Sequence, residues 1–455
     1  MATSSPHVIS LGCRLNLAES ETIRALLAGR DTVVVNSCAV TNEAVKQTRQ
    51  AIRRARRDRP GAELVVTGCA AQIDPAGFAA MPEVDRVIGN ADKLAAAAWA
   101  SREPVLVQDI LAVRRTAPHL AASFSTHARA FVEVQNGCDH RCTFCAIPFG
   151  RGNSRSVPAG AVVDRVAGLV DAGHAEIVLT GVDLTSYGAD LPGAPSLGQL
   201  VARILRHVPA LRRLRLSSLD GVEIDDRLFA LLTQEPRVMP QVHLSLQSGD
   251  DMILKRMKRR HTRAQSVALV ERLKAARPEI AIGADLIAGF PTETEAMFAN
   301  TLALLDDCDV VHPHIFPYGP RAGTPAARMP RVAAEVVKAR AARLRERAGK
   351  RRAEWLASLI GSTQSVLIER PGDRGHAGNF AEVRMPEQHV GSIVRVAIVA
   401  VVDGSLAATP ARHAGLVPAS TVRQGEECEP LAPPLRHGGP RHKAGATTGL
   451  NGAPA

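Results

Sequence analysis

The sequence predicts an α/β chain in three parts: an N-terminal parallel-sheet α/β domain, a partial (β/α)6 barrel and a small C-terminal all-β barrel. Three observations predict it. Short β-branched runs alternate with helical periodicity through roughly the first 100 residues. The alternation resumes near residue 129 and continues for six strand–helix units. After Ile360 the helical period gives way to strands separated by Gly and Pro. A length of 455 residues is in keeping with about three domains.

In the first part (5–105) the strands are "HVISLG", "DTVVVNS", "ELVVTG" and "VDRVIG". Between them lie the helical segments "NLAESETIRALLAG" and "TNEAVKQTRQAIRRARRD", with starts at Asn16 and at Thr41 or Asn42. That is a doubly wound pattern. The stretch "SREPVLVQDILAVRRTAPHLAASFSTHAR" loses the rhythm, so 106–127 reads as a linker. The second part (128–358) carries the strands "AFVEVQNG", "EIVLTGVD", "RLRLSSL", "QVHLSLQSG", "AIGADLIAGF" and "DVVHPHIFPY". Six units exceed a typical open nucleotide-binding sheet and fall short of an eight-unit barrel. In the third part (359–421), "QSVLIER", "NFAEVRMP" and "GSIVRVAIVAVVDGSLAAT" form a small β-module. Residues 422–455 are rich in Pro, Gly and His and read as a disordered tail.

Charge and cysteine usage narrow the function. The net charge of +11 suggests a polyanionic partner. Its basic residues cluster in "KQTRQAIRRARRDR" (46–59), "LKRMKRRHTR" (254–263) and "KARAARLRERAGKRR" (338–352), with few acids nearby in sequence. Solvated helix faces explain any one run, but the three together favour nucleic acid. RNA contacts are expected from the β-module with the last basic helix, through Arg343, Arg345, Lys350 and Arg351. An aromatic content of 3% argues against a stacking platform. Eight cysteines, grouped by motif, point to metal or catalysis in a reducing compartment. "MATSSPHVISLG" has no basic region followed by a long apolar core, and no later run reaches the roughly 18 apolar residues of a membrane helix. The expectation is a cytoplasmic protein with no membrane partner.

Two cysteine groups carry the chemistry. "VEVQNGCDHRCTFCAIPFGRG" places Cys138, Cys142 and Cys145 within eight residues, after a strand. Three ligands leave one metal corner open, whereas a structural zinc site or an electron-carrying cluster normally closes with four. Cys13, Cys38 and Cys69 each follow an N-terminal strand, at spacings of 25 and 31 residues. The carboxyl ends of parallel strands face one crevice, so these thiols are expected to meet. Cys308 reads as core packing and Cys428 as a tail thiol.

The C-x3-C-x2-C motif at the end of the first barrel strand resembles that of radical S-adenosylmethionine enzymes. The whole arrangement resembles the methylthiotransferases over roughly residues 7–420. The matching stretches are "SLGCRLN", "NSCAVTNEA", "TGCAAQ", "CTFCAIPFGRGNSRS", "LTGVDLTSYG", "RLSSLDGVEID", "HLSLQSGDDMILKRMKRRHT", "GFPTETEAMF" and "FPYGPRAGTPAARM". The terminal module resembles the TRAM domain, an RNA-binding β-barrel. "GCRLN" and "NSCAVTNEAVKQTRQAIRRARR" are similar to the branch acting on threonylcarbamoyladenosine of tRNA. Thr292 stands where the family commonly has Gly, and Gly319 where Ser is common.

The resemblance implies two 4Fe-4S clusters. Cys138, Cys142 and Cys145 would bind the one that works with S-adenosylmethionine; Cys13, Cys38 and Cys69 would bind an auxiliary cluster carrying the sulfur. It further implies two S-adenosylmethionine molecules per turnover, a reducing electron donor, and methylthiolation of the adenine 2-carbon at position 37 of tRNA. Gly181, Asp183, Ser217, Ser218, Gln247 and Asp285 fall at or near the barrel's carboxyl ends, where cofactor and substrate pockets gather. Ordinary strand-end capping explains each of them equally well. The rival substrates are isopentenyladenosine in tRNA and a ribosomal-protein side chain. A different class is a non-catalytic iron–sulfur or zinc RNA-binding protein. For zinc, His140 would have to close the first site, but one intervening residue gives it poor reach, and it reads as a solvent-facing loop residue.

Overall fold

A computed structural model of the chain describes residues 6–114 and 127–410. Most of the expected linker, the end of the expected third part, the 422–455 tail and Cys428 lie outside the described residues.

Strands β1 (His7–Ser10), β2 (Thr32–Ser37), β3 (Glu63–Gly68), β4 (Arg86–Ile88) and β5 (Val105–Leu106) form one parallel sheet in that order. Its central strands β2, β3 and β4 are almost wholly buried because both faces are covered, whereas the edge strands β1 and β5 are partly exposed. Helix α1 (Arg14–Leu26) packs Ile23 with Val34, Val65 and Ile88, whereas α2 (Asn42–Asp58) packs Ile52 with Val33, Val35 and Val66. The helices lie as a doubly wound sheet requires, but the strand order never reverses, so this sheet has no switch-point crevice. Instead, consecutive strands are neighbours, and the residues after β1, β2 and β3 adjoin along one edge. Two expectations are corrected. Strand β5 runs into the stretch read as linker, because two residues leave no periodic signal. Helix α1 begins at Arg14, not Asn16, with Cys13 at its N-cap. The Asn16 side chain is buried and donates to the Leu11 and Ser37 carbonyls at 2.7 and 3.0 Å. The second helix starts as read, Thr41 accepting from the Ala44 N–H at 3.0 Å.

The second part is an open barrel. Strands β6 (Arg129–Asn136), β7 (Arg155–Ser156), β8 (Glu176–Gly181) and β9 (Arg213–Leu216) form one sheet, ordered β7-β6-β8-β9. Strands β10 (Gln241–Gln247), β11 (Ala281–Ala288) and β12 (Val310–Pro317) form another. Two single parallel bridges, Leu214 to Val238 and Leu219 to Leu244, join them. Six parallel strands therefore curve round one core, with the short antiparallel β7 as an edge. The ring does not close. Helix α1 lies along β6, and its Ala18 is part of the barrel's own core, so the N-terminal domain supplies packing the missing strands would have given.

Strands β13 (Thr363–Glu369), β14 (Arg374–Ala377), β15 (Glu382–Arg384), β16 (Ile393–Val402) and β17 (Ser405–Pro410) close a small barrel with its own core. The four-residue β14, "RGHA", carries no β-branched signal and was not legible in the sequence. This barrel seals the floor of the larger one. At the strand starts Glu176 is buried and takes Arg129 Nε at 3.2 Å, Arg215 Nε at 3.1 Å and Arg213 Nη1 at 3.5 Å. The same arginines reach the small barrel: Arg213 donates to the Ser365 carbonyl at 2.6 Å, Arg215 to the Gly378 carbonyl at 3.1 Å, and Arg129 pairs with Glu369. Phe380, in the β14–β15 connection, stacks on His376 and lies under the Arg129 and Arg215 guanidiniums.

The basic runs are less free than their sequence suggested. In helix Ala334–Ser358, Arg340 pairs with Glu293, Arg343 with Glu295, Arg347 with Asp306, Lys350 with Glu346 and Arg351 with Asp306. In α2, Arg49, Arg56 and Arg59 pair with Asp74, Asp85 and Asp31. Most of these acids are distant in sequence and near only in the fold, so proximity along the chain could not reveal them. Of the four RNA contacts expected, Arg343, Lys350 and Arg351 are committed to ion pairs; Arg345 has only a 3.4 Å contact to the Ile315 carbonyl.

Glu176 is the charge on which the floor depends. Burial would raise its carboxyl pKa, yet the surrounding arginines hold it at about 2, below the ordinary 4.5. Its stabilising contribution is thus complete above about pH 4.5 and lost as pH falls toward 2. Glu176→Gln leaves several buried guanidiniums without their shared anion and should cost about 3–5 kcal/mol at pH 7. Urea unfolding measures this, and an unchanged midpoint would show that Glu369 suffices.

Candidate active site

The three N-terminal cysteines meet because three adjacent parallel strands end together. Cys13 caps α1, Cys38 follows β2, and Cys69 opens helix α3 (Cys69–Ile73) directly after β3. Gly12 allows the approach. Its φ is +94°, and a Cβ there would stand 2.5 Å from the Cys38 Cβ and Sγ. Cys13 is exposed at its surface even though surrounding protein pushes its thiol pKa up, as it does for Cys38. Cys38 Sγ accepts from the Val40 N–H at 3.5 Å, and Cys69 Sγ from Asn90 Nδ2 at 3.6 Å and Arg151 Nε at 3.1 Å.

The second triad lies on the loop after β6. The Cys138 N–H donates to the Gly152 carbonyl at 3.0 Å, and the Cys145 N–H to the Cys142 carbonyl at 3.1 Å. The loop is tied down at Thr143, which donates to the Met257 and Arg256 carbonyls and accepts from the Ala326 N–H. Around the thiols are Ile147 N–H, 3.4 Å from Cys145 Sγ, and Arg259 Nη1, 3.7 Å from Cys142 Sγ. Arg259 is in turn held by Asp220 at 2.9 Å.

The two triads are brought together by the elements that carry them. The loop carrying the second triad continues into the short helix Ile147–Arg151, which packs on α3 with Gly150 against Cys69. Arg151 then crosses into the N-terminal domain, fully buried. It pairs with Glu19 at 2.9 Å, donates to Asn16 Oδ1 at 2.5 Å, and donates to Cys69 Sγ. Glu19 also takes Lys93 Nζ at 2.5 Å, and the two cations outweigh burial to hold its pKa at about 2. On the other side Arg321 donates to the Ala39 carbonyl and to Asn42 Oδ1 at 2.8 Å, and its charge interacts with both Cys38 and Cys145.

The thiol spacing bears on which metal group could fit. Tetrahedral zinc would hold its sulfurs about 3.8 Å apart. Among the described residues, the groups with ligand atoms all within 4.8 Å are Cys138–His140–Asp183, His243–Asp285–His314 and His140–Asp220–Glu223; neither thiol triad is among them. Thiols near enough to interact electrically, too far apart for one ion, and met by N–H donors fit the wider frame of an iron–sulfur cluster.

The other sequence candidates divide. Asp183 adjoins the second triad: it accepts from His140 Nε2 at 2.9 Å, Ser186 Oγ at 2.7 Å and the Cys138 thiol at 3.6 Å. Burial alone would raise its pKa, but the His140 and Ser186 hydrogen bonds lower it. Gly181 leaves room for the Gln135 side chain, whose Oε1 takes the Asp183 N–H at 2.8 Å. Ser217 is buried with an unpartnered hydroxyl, while Ser218 is half-buried. Gln247 has φ +65° at a register shift in β10. Asp285 sits between His243 Nε2 at 3.0 Å and His314 Nδ1 at 3.1 Å, apart from the cysteines. His140 is corrected twice: it is mostly enclosed and turned onto Asp183, not into solvent, and its ring nitrogen lies within 4.8 Å of the Cys138 thiol, so the poor reach expected of it does not hold. Cys308 is core packing, as read. Sequence reasoning missed Arg151, Arg259, Arg321, Asn90, Glu19 and Lys93. "FGRGN" held the one signal, an arginine between two glycines beside a cluster motif.

A partial barrel with an open three-thiol loop at its carboxyl end defines a radical S-adenosylmethionine enzyme. A family model described as Radical SAM superfamily matches residues 132–305, and one described as Uncharacterized protein family UPF0004 matches residues 6–89. The chain is 48% identical to threonylcarbamoyladenosine tRNA methylthiotransferase MtaB of Rickettsia prowazekii, over 88% of this chain and 96% of the relative. It is 37% identical to MtaB of Bacillus subtilis, over 72% and 76%. It is 34% identical to tRNA-2-methylthio-N(6)-dimethylallyladenosine synthase of Agrobacterium fabrum, over 84% and 88%. The chain belongs to the tRNA methylthiotransferase family, in its threonylcarbamoyladenosine branch. The solved radical S-adenosylmethionine methyltransferase TsrM of Kitasatospora setae has the same fold, with TM-score 0.50 and 18% identity over 65% of this chain and 64% of that one.

Arg151 gives the site its test. Arg151→Met leaves buried Glu19 with Lys93 alone and removes a donor from Cys69, at an expected cost of about 3–5 kcal/mol. Arg151→Lys keeps the charge but not the fork, and should fall between. Anaerobic urea unfolding reads both, and equal midpoints for all three proteins would mean the crossing is not structural.

Proposed function

We infer that this chain adds a methylthio group to the adenine 2-carbon of threonylcarbamoyladenosine in tRNA. The observation that carries the reading is the pair of thiol triads, with Arg151 from the loop of one bonded to Cys69 of the other and to Glu19. Cys138, Cys142 and Cys145 would hold the 4Fe-4S cluster that receives S-adenosylmethionine, and Cys13, Cys38 and Cys69 an auxiliary one. When bound, such a cluster with S-adenosylmethionine supplies a carbon radical that can remove hydrogen from an unactivated carbon. The target carbon is not acidic and carries no leaving group, so a polar route would need a very strong base. In balance, the ring C–H becomes C–S–CH3. A sulfide carried at the auxiliary site would give the sulfur; one S-adenosylmethionine would give the methyl group and leave as S-adenosylhomocysteine, and a second would leave as deoxyadenosine and methionine with the abstracted hydrogen. An external reductant is required.

The protein's own part is placement. Asp183, fixed by Gln135 and His140, and Arg259, fixed by Asp220, stand beside the second triad where the polar groups of S-adenosylmethionine would lie. No described helix is long and apolar enough to cross a membrane.

Replacing Cys138, Cys142 and Cys145 together by Ala should roughly halve bound iron and abolish deoxyadenosine formation. The Cys13, Cys38, Cys69 triple Ala variant should still form deoxyadenosine but no methylthio nucleoside. A folded first variant without iron would defeat the two-cluster reading. In cells, deleting the gene should remove methylthio-threonylcarbamoyladenosine from tRNA and leave its precursor, as read by nucleoside mass spectrometry. Loss of methylthio-isopentenyladenosine or of a ribosomal-protein modification instead would move the chain to another substrate.

A further inference from the structure

Arg14 directly follows the cluster cysteine Cys13 at the start of α1. Its guanidinium lies over the Phe380 ring at 5.7 Å, and it makes no hydrogen bond or ion pair with any described residue. Its electrical neighbours are Arg129, Arg215, Glu176 and Asp285, from four strands round the barrel, so it projects into the interior. The acids among them are already engaged. Glu176 is shared by Arg129, Arg213 and Arg215, and Asp285 is held by His243 and His314. Burial, reinforced by Arg129 and Arg215, lowers the Arg14 pKa to about 10. An enclosed guanidinium without a counter-ion is costly to keep and is made to receive an anion.

We propose that Arg14 determines substrate choice by receiving the carboxylate of the threonylcarbamoyl group. The proposal rests on the threonylcarbamoyladenosine reading. In adenine the reacting 2-carbon and the 6-carbon that bears the substituted N6 flank the same ring nitrogen. A substrate with its 2-carbon at the Cys13 cluster site therefore presents its N6 substituent alongside, and the α-carbon of the next residue is only about 3.8 Å away. Threonylcarbamoyl ends in a carboxylate that a guanidinium can grip with two parallel hydrogen bonds. The rival isopentenyl group is uncharged and gains nothing from Arg14.

The test uses anticodon stem-loop RNAs bearing threonylcarbamoyladenosine, its methyl ester, or isopentenyladenosine, with reconstituted full-length protein. Wild type should prefer the acid over the ester by roughly tenfold to a hundredfold in kcat/KM, the range of a charge-assisted hydrogen bond. Arg14→Gln should bring that ratio to about one, chiefly by raising KM for the acid, and Arg14→Lys should restore part of it. Iron content and visible absorbance report whether each variant is intact. Wild type converting acid and ester equally would overturn the role of Arg14 without needing any variant, as would an intact Arg14→Gln that keeps the preference. Wild type converting only the isopentenyl RNA would instead overturn the substrate reading, and this proposal with it.

Discussion

The buried pair between Arg151 and Glu19 is the contact on which the working architecture depends. One partner ends the loop of the second cysteine triad; the other lies on α1, whose first turn carries Cys13 and Arg14. A buried ion pair is a poor source of net stability, because both ions lose their water. What it supplies is exclusivity: Glu19, Asn16, Lys93 and Cys69 converge on a single placement of the guanidinium. Apolar packing between the same elements would permit sliding, and two reactive centres on separate domains cannot tolerate it. A forked, charged clamp fixes distance and rotation together.

The same economy runs through the rest of the chain's charge. Composition alone suggests a surface coated with cations for RNA. In the fold, much of that charge turns inward or sideways, sealing the barrel floor through Glu176 and tying helix Ala334–Ser358 to Asp306, Glu293 and Glu295. Net charge survives such pairing as a long-range field that steers a polyanion. Close contacts must then come from the minority of side chains without partners.

What could be read from the sequence follows from what is local. The cysteine triads were legible because their chemistry is encoded in residue type and in position after a strand. Five of the six barrel strands were legible because each runs six to eight residues and carries β-branched side chains; the four-residue β9, "RLRL", was legible through its strict alternation. Arg151, Glu19 and Lys93 were not, since their pairing spans up to 132 residues and nothing in either neighbourhood signals burial. His140 was misjudged for a related reason. Its spacing from Cys138 argues against shared coordination, but its orientation is set by Asp183, which lies 45 residues beyond that cysteine. Strands β5 and β14 were lost through shortness, and the start of α1 because its cap is a cysteine, which makes no capping hydrogen bond.

An incomplete barrel is usually described by what it lacks. Here the opening is what lets a second domain reach the reaction. Eight strands would close the ring and confine chemistry to the loops at one end. With six, α1 lies along β6, contributes Ala18 to the core, and presents its first residues to the interior. Cys13 and Arg14 therefore enter from the side, as a wall that carries both a thiol and a cation. The adjacency of Cys13 and Arg14 along the chain makes the place where sulfur would be delivered and the place where the substituent would be recognised parts of one helical turn. A mutation that shifted α1 would disturb both together, so in this fold reactivity and selectivity cannot drift apart independently.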